Sequence, residues 1–184
     1  MAPGNEKYDV VIIGGAMIGS AIAWFLISNE DFNGTICVIE KDLTFEFAST
    51  SRSNSCIRQQ YSNELNVQIS QYGAEFINNF KKLIQDDSAP NIILQNFGYL
   101  YLSSSKDSEK VFMEDQAMQA GLGAGTRIMS PAEIKSDYPF YNVSDVVCGS
   151  HNTLNEGYFD GATVFNWWQK KINNLRIIDK CLKS

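Results

Sequence analysis

The sequence predicts an α/β fold with a parallel sheet, interrupted by part of a second domain of mixed α+β structure. Three observations in the 184 residues support this class. A β-branched run at 10–13 is followed at once by glycines, and a second β-branched run ends at Glu40. Apolar spacings typical of helices and alternating patterns typical of strands then both occur in the middle of the chain. Towards its end, a helical pattern again precedes a β-branched run.

The apolar segment Tyr8–Leu26, YDVVIIGGAMIGSAIAWFL, is open to three interpretations. A signal peptide requires a positive region before it, but the charges here are mixed. A membrane span requires about 20 unbroken apolar residues, and glycines interrupt this run. From Val10 to Ile27, Ser20 is the single polar side chain. We therefore predict a strand over Val10–Ile13, buried on both faces, then a glycine turn and a helix over Ile18–Ile27.

Strand, glycine turn and helix together open a Rossmann-like βαβ unit that binds a nucleotide. Gly14 permits the tight turn, and Gly19 lets the helix pack closely on the strand. Ala16 stands where G-x-G-x-x-G has its second glycine, the position at which the backbone approaches a pyrophosphate. The N–H groups at the start of the helix would face the phosphates.

A second predicted strand, Thr35–Glu40, supports the nucleotide interpretation. Its last residue is an acid that lies 21 residues after Gly19. A carboxylate at this strand end reaches the ribose hydroxyls and repels a 2′-phosphate, which favours FAD or NAD over NADP. The alternative is a buried glycine turn with an unrelated glutamate.

The middle of the chain alternates between loops, helices and strands. The polar segment Ala48–Ser62 reads as a loop, and Asn96–Ser103 as a strand. Lys106–Ala120 reads as a helix that ends at Gly121, and the GLGAG run that begins there reads as a loop. A further helix is predicted from one apolar stripe with spacings of three and four, formed by Leu65, Ile69, Tyr72, Phe76, Phe80 and Leu83.

The second half contains two helix starts. Ser130 and Glu133 form a capping box before one helix, and Asp160 caps another over Gly161–Ile172. Val146–Cys148 and Leu175–Asp179 read as strands. We assign 1–90 and 155–184 to an incomplete nucleotide-binding domain, and 91–154 to part of a substrate domain.

Composition limits the function classes. Fifteen basic residues against 21 acidic ones leave a net charge of −6, which gives nucleic-acid binding no electrostatic support. The four cysteines are scattered and the chain has one histidine, so we predict no metal site. Isolated cysteines fit a reducing compartment. We expect the cytoplasm or, in a eukaryote, the mitochondrial matrix, and no transmembrane segment.

The order of motifs resembles the N-terminal half of the D-amino-acid-oxidase-like flavoprotein superfamily. The motifs are GGAMIGS, Glu40, SRSNSCIRQQYS, FGYLYLS, MSPAEIKSDYP and NEGYFDG. This superfamily includes sarcosine oxidase and dimethylglycine dehydrogenase. The motifs look most similar to the FAD-dependent oxidoreductase domain-containing proteins, whose mitochondrial members are linked to assembly of respiratory complex I.

The resemblance implies an FAD site and a carboxylate-binding arginine. Arg58, in an R-x-x-Y pattern with Tyr61, matches the arginine that holds the substrate carboxylate, and a guanidinium fork suits that partner. A solvated loop charge or a salt bridge is the alternative for Arg58. The implied FAD residues are Gly14, Gly15, Ala16, Met17, Ile18, Gly19, Glu40, Lys41, Ser51, Arg52, Ser53, Asn54, Ser55 and Cys56.

The chain also departs from the family pattern. Relatives often carry two glycines at Ser55 and Cys56, and we expect the Cys56 thiol to be buried and inert. His151 is expected in a loop. Family members are about twice as long, so we expect a fragment, or a chain that requires a partner or a missing C-terminal half.

The resemblance implies oxidation of a C–N bond in a secondary or N-methylated amino acid or amine. A non-catalytic assembly factor and an NAD-dependent dehydrogenase are the alternatives.

Overall fold

The computed structural model describes residues 7–174, which form two compact units. The first contains the described residues up to 54, residues 88–90 and those from 160 onward, and the second contains 55–87 and 91–159. In chain order the elements are β1 (Val10–Ile13), α1 (Met17–Ile27), β2 (Ile36–Ile39), β3 (Cys56–Ile57), α2 (Glu64–Asn78), α3 (Phe80–Ile84), β4 (Tyr99–Ser103), α4 (Lys106–Gly121), β5 (Arg127–Met129), α5 (Pro131–Asp137), β6 (Cys148–Asn152), β7 (Gly157–Tyr158) and α6 (Gly161–Asn174).

The first unit is a parallel strand pair covered by helices. β1 and β2 pair in parallel, with Val10 opposite Ile36 and Ile13 opposite Ile39. α1 connects them and packs against α6. The core of this unit consists of Ile12, Ala23, Ile36, Val38 and Ile172. The predicted α/β class, with a Rossmann-like strand, glycine turn and helix at its start, is confirmed.

The prediction that β1 is buried on both faces is wrong. Ile12 is buried in the core with α1 and α6, whereas Val11 is 51% and Ile13 87% exposed. Successive side chains of a strand point to opposite faces, so the helices cover only the face that carries Ile12. β2, in contrast, is buried from Ile36 to Val38.

The second unit combines antiparallel strands with helices, as the prediction of a mixed α+β region implied. Its larger sheet has three strands in the order β4-β6-β5, both pairings antiparallel. β3 pairs with β7 in a separate two-stranded ladder. α4 packs on the three-stranded sheet, and α5 packs on β5 and β6. Met129 and Ile134 are fully buried at this contact.

The helix predicted over 65–83 is wrong in two respects. It is divided at Asn79 into α2 and α3, and much of the predicted apolar stripe is exposed, including Leu65 at 61% and Tyr72 at 66%. The buried face of α2 is carried instead by Val67, Ala74 and Ile77. The spacing of apolar residues predicts which of them share one face of a helix, but not which face packs against another element. Here the smaller residues face inward, where α2 packs against α4 and β3.

The compact units do not have the boundaries predicted for the two domains. Residues 55–87, assigned from the sequence to the first domain, lie in the second unit, because β3 pairs with β7 and α2 packs against α4. The strand predicted over Leu175–Asp179 lies outside the described residues.

The local helix signals are mostly correct. Ser130 and Glu133 form the predicted capping box at α5, and Asp160 Oδ1 accepts from the Thr163 N–H at 2.9 Å. Gly121, however, is still helical, and the left-handed residue after α4 is Gly123, with a φ of 81°. Within residues 7–174, no helix is both long and apolar enough to cross a membrane.

Candidate functional site

The glycine turn brings the end of β1 against the start of α1. Gly14 has a φ of 99°, in the region that favours glycine. A Cβ added to Gly19 would lie 1.8 Å from the Gly14 carbonyl oxygen, so this close approach requires glycine at position 19. α1 begins after Ala16 without a side-chain cap. Its first N–H groups therefore form a positive helix terminus of the kind that binds phosphates.

Glu40 holds the turn against the end of β2. Its Oε2 accepts from the Gly15 N–H at 2.8 Å, and its Oε1 accepts from the Asp42 N–H at 3.0 Å. An ionised carboxylate offers about four lone-pair positions. Glu40 can therefore keep both of these bonds and still accept from the hydroxyl groups of a ribose.

The carbonyl group of the turn is held by two side chains that the sequence analysis did not assign. The Gly15 carbonyl oxygen accepts from Ser20 Oγ at 2.6 Å and from Gln169 Nε2 at 2.6 Å. Gln169 also donates to Ser20 Oγ at 2.6 Å. Ser20 had a sequence signal, since it is the single polar side chain of an apolar run. Gln169 had none, because it reaches the turn from α6.

Many of the predicted cofactor residues line one cleft of about 700 Å³ in the first unit. The cleft volume lies within the range of about 300–1,000 Å³ that is common for ligand pockets. The predicted residues in its wall are Gly14, Ala16, Ile18, Gly19, Glu40 and Lys41. Residues that the sequence analysis missed also contribute, namely Phe45, Phe47, Ala48, Ser49 and Thr50.

The predicted residues after Thr50 lie outside this cleft wall. Thr50 itself accepts from the Met17 N–H at 3.3 Å, while Met17 lines a neighbouring apolar groove. Arg52 stacks over the Phe47 ring at 5.0 Å, beside the cleft. Ser51, Arg52, Ser53 and Asn54 are exposed. They continue the chain from the cleft wall towards β3.

Arg58 lies among tyrosines in the second unit. Its Nη1 donates to the Tyr101 hydroxyl at 2.8 Å, and its guanidinium lies 4.8 Å from the Tyr61 ring centroid. Burial acts to lower the pKa of Arg58, but Tyr101 and Tyr61 together raise it above its ordinary value, so this group is a permanent cation. Its Nε is buried and has no hydrogen-bond partner among residues 7–174.

Ser55 and Cys56 lie just before Arg58 in the chain. Ser55 has a φ of 50°, so it adopts the left-handed conformation that glycine favours, at a position where relatives often carry glycine. The prediction of a buried Cys56 is wrong, because Cys56 is exposed on the short strand β3. Burial, the Cys56 thiol and Tyr101 raise the pKa of Tyr99 to about 12.

His151 is also placed differently from the expectation. It lies within β6 and is buried, with Nε2 at 2.9 Å from the Tyr138 hydroxyl. Burial, with Arg127, lowers its pKa. His151 is therefore a neutral residue of the sheet rather than a loop histidine.

The chain is similar to solved flavoenzyme structures over nearly its whole length. The L-proline dehydrogenase of P. horikoshii superposes with a TM-score of 0.74 and 26% identity, over 96% of this chain and 44% of that one. The glycine oxidase of Bacillus cereus superposes with a TM-score of 0.69 and 15% identity, over 95% of this chain and 46% of that one. The second similarity shows the fold alone.

Curated relatives and a family model also show similarity to FAD-dependent oxidoreductases. FAD-dependent oxidoreductase domain-containing protein 1 of Xenopus laevis is 34% identical over 171 residues, which cover 90% of this chain and 34% of the relative. Its Bos taurus counterpart is 33% identical over 177 residues, 94% of this chain and 36% of the relative. The chain thus spans about a third of the length of these relatives. The family described as FAD dependent oxidoreductase matches residues 9–181, and the chain therefore belongs to this DAO family.

Proposed function

We propose that the first unit binds FAD, the cofactor that gives this family its name. The cleft supports this assignment, because it joins the start of a helix whose N-cap residue provides no side-chain cap, a glycine turn and a carboxylate. Gly14 to Gly19 would hold the pyrophosphate and Glu40 the ribose, with Lys41 beside the adenosine. The segment from Ser51 to Cys56 would pass the flavin ring.

We further propose that the protein oxidises the C–N bond of a secondary or N-methylated amino acid or amine. When bound, FAD supplies the chemistry by accepting a hydride from the carbon next to nitrogen. The chain's own contribution is to bind and orient the substrate. In this proposal Arg58 binds the substrate carboxylate and keeps the reacting carbon in place.

The buried Nε of Arg58 is the observation on which this proposal rests. This N–H group has no acceptor among the described residues, and leaving a buried donor without a partner is unfavourable. A carboxylate would accept from the Nε–H and a neighbouring N–H of the fork together. The aromatic rings around the guanidinium limit its movement. Similarity to an enzyme named for L-proline, a secondary amino acid, also supports this substrate class.

Replacement of Arg58 by lysine in the FAD-loaded protein tests the proposal. Lys retains the charge but loses the planar fork, and hydrogen bonds to charged groups contribute about 1.5–3 kcal/mol. We therefore expect the second-order rate constant of flavin reduction to fall by about 10- to 100-fold, measured by anaerobic bleaching of flavin absorbance with L-proline, sarcosine or dimethylglycine.

Arg127→Lys is the matched control. Arg127 forms an exposed ion pair with Asp137 at 2.8 Å, so this change should leave the rate unaltered. Equal rates for the native protein and Arg58→Lys would refute the role of Arg58. A protein that takes up no FAD would refute the proposal as a whole.

A non-catalytic assembly or interaction factor is a second candidate. The exposed apolar residues of α2 favour it, since Leu65, Ile69 and Tyr72 together present a surface suited to protein contacts. In this case the protein would co-purify with a membrane complex and bleach with none of the amines. Bleaching that is lost in Arg58→Lys would contradict this second candidate.

A further inference from the structure

Glu156 is a buried carboxylate whose hydrogen-bond partners are all neutral. It has 0% exposure. Its Oε1 accepts from the Gln59 backbone N–H at 2.6 Å and from Asn152 Nδ2 at 3.0 Å. Its Oε2 accepts from Gln60 Nε2 at 3.0 Å. N–H donors on both oxygens are the partners of an ionised carboxylate, because a protonated oxygen would direct its own hydrogen at one of them.

The negative charge of Glu156 is unfavourable for stability, although its oxygens accept all of these hydrogen bonds. Burial raises the pKa of Glu156, and its donors lower it by less. A buried charge without a cation beside it is unfavourable. Because the pKa in the folded state lies above that of the unfolded chain, ionised Glu156 lowers stability at neutral pH. A glutamine would fill the same volume without the charge, but its NH₂ group would face one of the N–H donors.

The donors to Glu156 are the two residues that follow Arg58. Gln60 uses its whole amide group, since Nε2 also donates to the Tyr99 carbonyl at 3.1 Å and Oε1 accepts from Ser150 Oγ at 2.7 Å. Tyr99 lies on β4 and Ser150 on β6. The backbone after Arg58 is thus attached to the sheet that carries Tyr101, the hydrogen-bond partner of the guanidinium.

We infer that Glu156 is a positioning residue for Arg58. Its carboxylate fixes Gln59 and Gln60, and these two residues keep the guanidinium on the Tyr101 hydroxyl, in the orientation in which its Nε–H has no acceptor among residues 7–174. Because Glu156 is fully buried, it would not contact the substrate itself. The inference rests on the proposed role of Arg58 in binding a carboxylate.

The position of Arg58 can be tested without turnover. In Glu156→Gln, an NH₂ group replaces one oxygen and must face an N–H donor, so the contact to Gln59 or Gln60 is lost. We expect the Arg58 Nε–H resonance in a ¹⁵N–¹H spectrum to shift or broaden by more than its line width. Glu114→Gln makes the same chemical change on the surface, where Glu114 is 66% exposed, and should leave this resonance in place. An unmoved resonance in Glu156→Gln would overturn the inference.

Binding of L-proline by the FAD-loaded protein gives the functional readout. Glu156→Gln should raise the Kd for L-proline at least 10-fold, leave the Kd for FAD unchanged and not lower the midpoint of thermal unfolding. Glu156→Asp, which retains the charge on a shorter side chain, should recover part of the affinity and provides a second variant if the glutamine protein does not fold.

The remaining outcomes separate the two proposals. If Glu156→Gln lowers the midpoint of thermal unfolding and loses L-proline affinity only as far as it unfolds, the role of Glu156 is purely structural. This result would overturn the inference. If the native protein binds no L-proline, the proposed role of Arg58 is refuted, while the Arg58 resonance still decides whether Glu156 positions it.

Discussion

Replacement of Gly19 by alanine should destabilise the first unit severely. The added Cβ would lie 1.8 Å from the Gly14 carbonyl oxygen, where real Cβ contacts are essentially never shorter than 3.0 Å. The start of α1 and the turn must therefore separate by at least about 1.2 Å. The contact is with backbone, which cannot rotate away as a side chain would. Overpacking of this kind costs typically 1–3 kcal/mol, and we expect about 3 kcal/mol.

Thermal unfolding followed by circular dichroism measures this effect. For a chain of this length, about 3 kcal/mol corresponds to a Tm lowered by roughly 6–12 °C. FAD affinity, measured from quenching of flavin fluorescence, should fall as well, because the displaced turn carries the proposed pyrophosphate site.

Gly73→Ala is the matched control for Gly19→Ala. Gly73 lies within α2, and a Cβ added there meets nothing within 4 Å. Alanine should therefore stabilise the helix by about 0.5–1 kcal/mol. If Gly19→Ala unfolds at the native temperature and binds FAD with native affinity, the close approach of helix and turn is not required and the reasoning fails.

Two further predictions concern local backbone and capping. Ser55→Gly should stabilise the protein by roughly 0.5–1 kcal/mol in denaturant titrations, because Ser55 has a φ of 50° and glycine adopts that region without strain. Cys56→Gly, at the next position, is the control and should give no such gain. Ser130→Ala should cost about 1 kcal/mol by removal of the α5 cap. Hydrogen bonds from Ser130 lower the pKa of Glu133, so the stabilisation from the Ser130 hydroxyl bond to this carboxylate is present above the unfolded-state pKa of Glu133 and is lost as the pH falls through the folded-state value. The bond from the Glu133 N–H to Ser130 Oγ does not depend on pH. The stability difference between native protein and Ser130→Ala should therefore narrow at low pH without vanishing, and a constant difference down to pH 2 would contradict this account.

Signals confined to a few neighbouring residues predicted the structure well. The capping box of Ser130, the N-cap at Asp160 and the glycine turn after β1 each lie within one helical turn or one tight turn. The spacing from Gly19 to Glu40 also predicted the carboxylate beside the turn, because a βαβ unit brings the ends of two adjacent strands together. In each case the residues are neighbours in space because they are neighbours in sequence or in one motif.

Predictions about burial were less successful. The apolar stripe of α2 was identified, but Leu65 and Tyr72 are exposed while Val67 and Ala74 are buried. Cys56 was expected inside and lies outside, and one face of β1 is exposed. Burial of a side chain depends on which other elements pack against it. The periodicity of a sequence indicates only which residues share a face.

The sequence by itself therefore determined the α/β class, the family, the glycine turn and the carboxylate at the end of β2. Tertiary structure alone decided which side chains support these groups. Gln169 reaches the Gly15 carbonyl from 154 positions away, and Glu156 accepts from the Gln59 N–H across 97 positions. Tyr101 meets Arg58 across 43 positions. No local pattern specifies such pairs, because the packing of whole helices and strands brings them together.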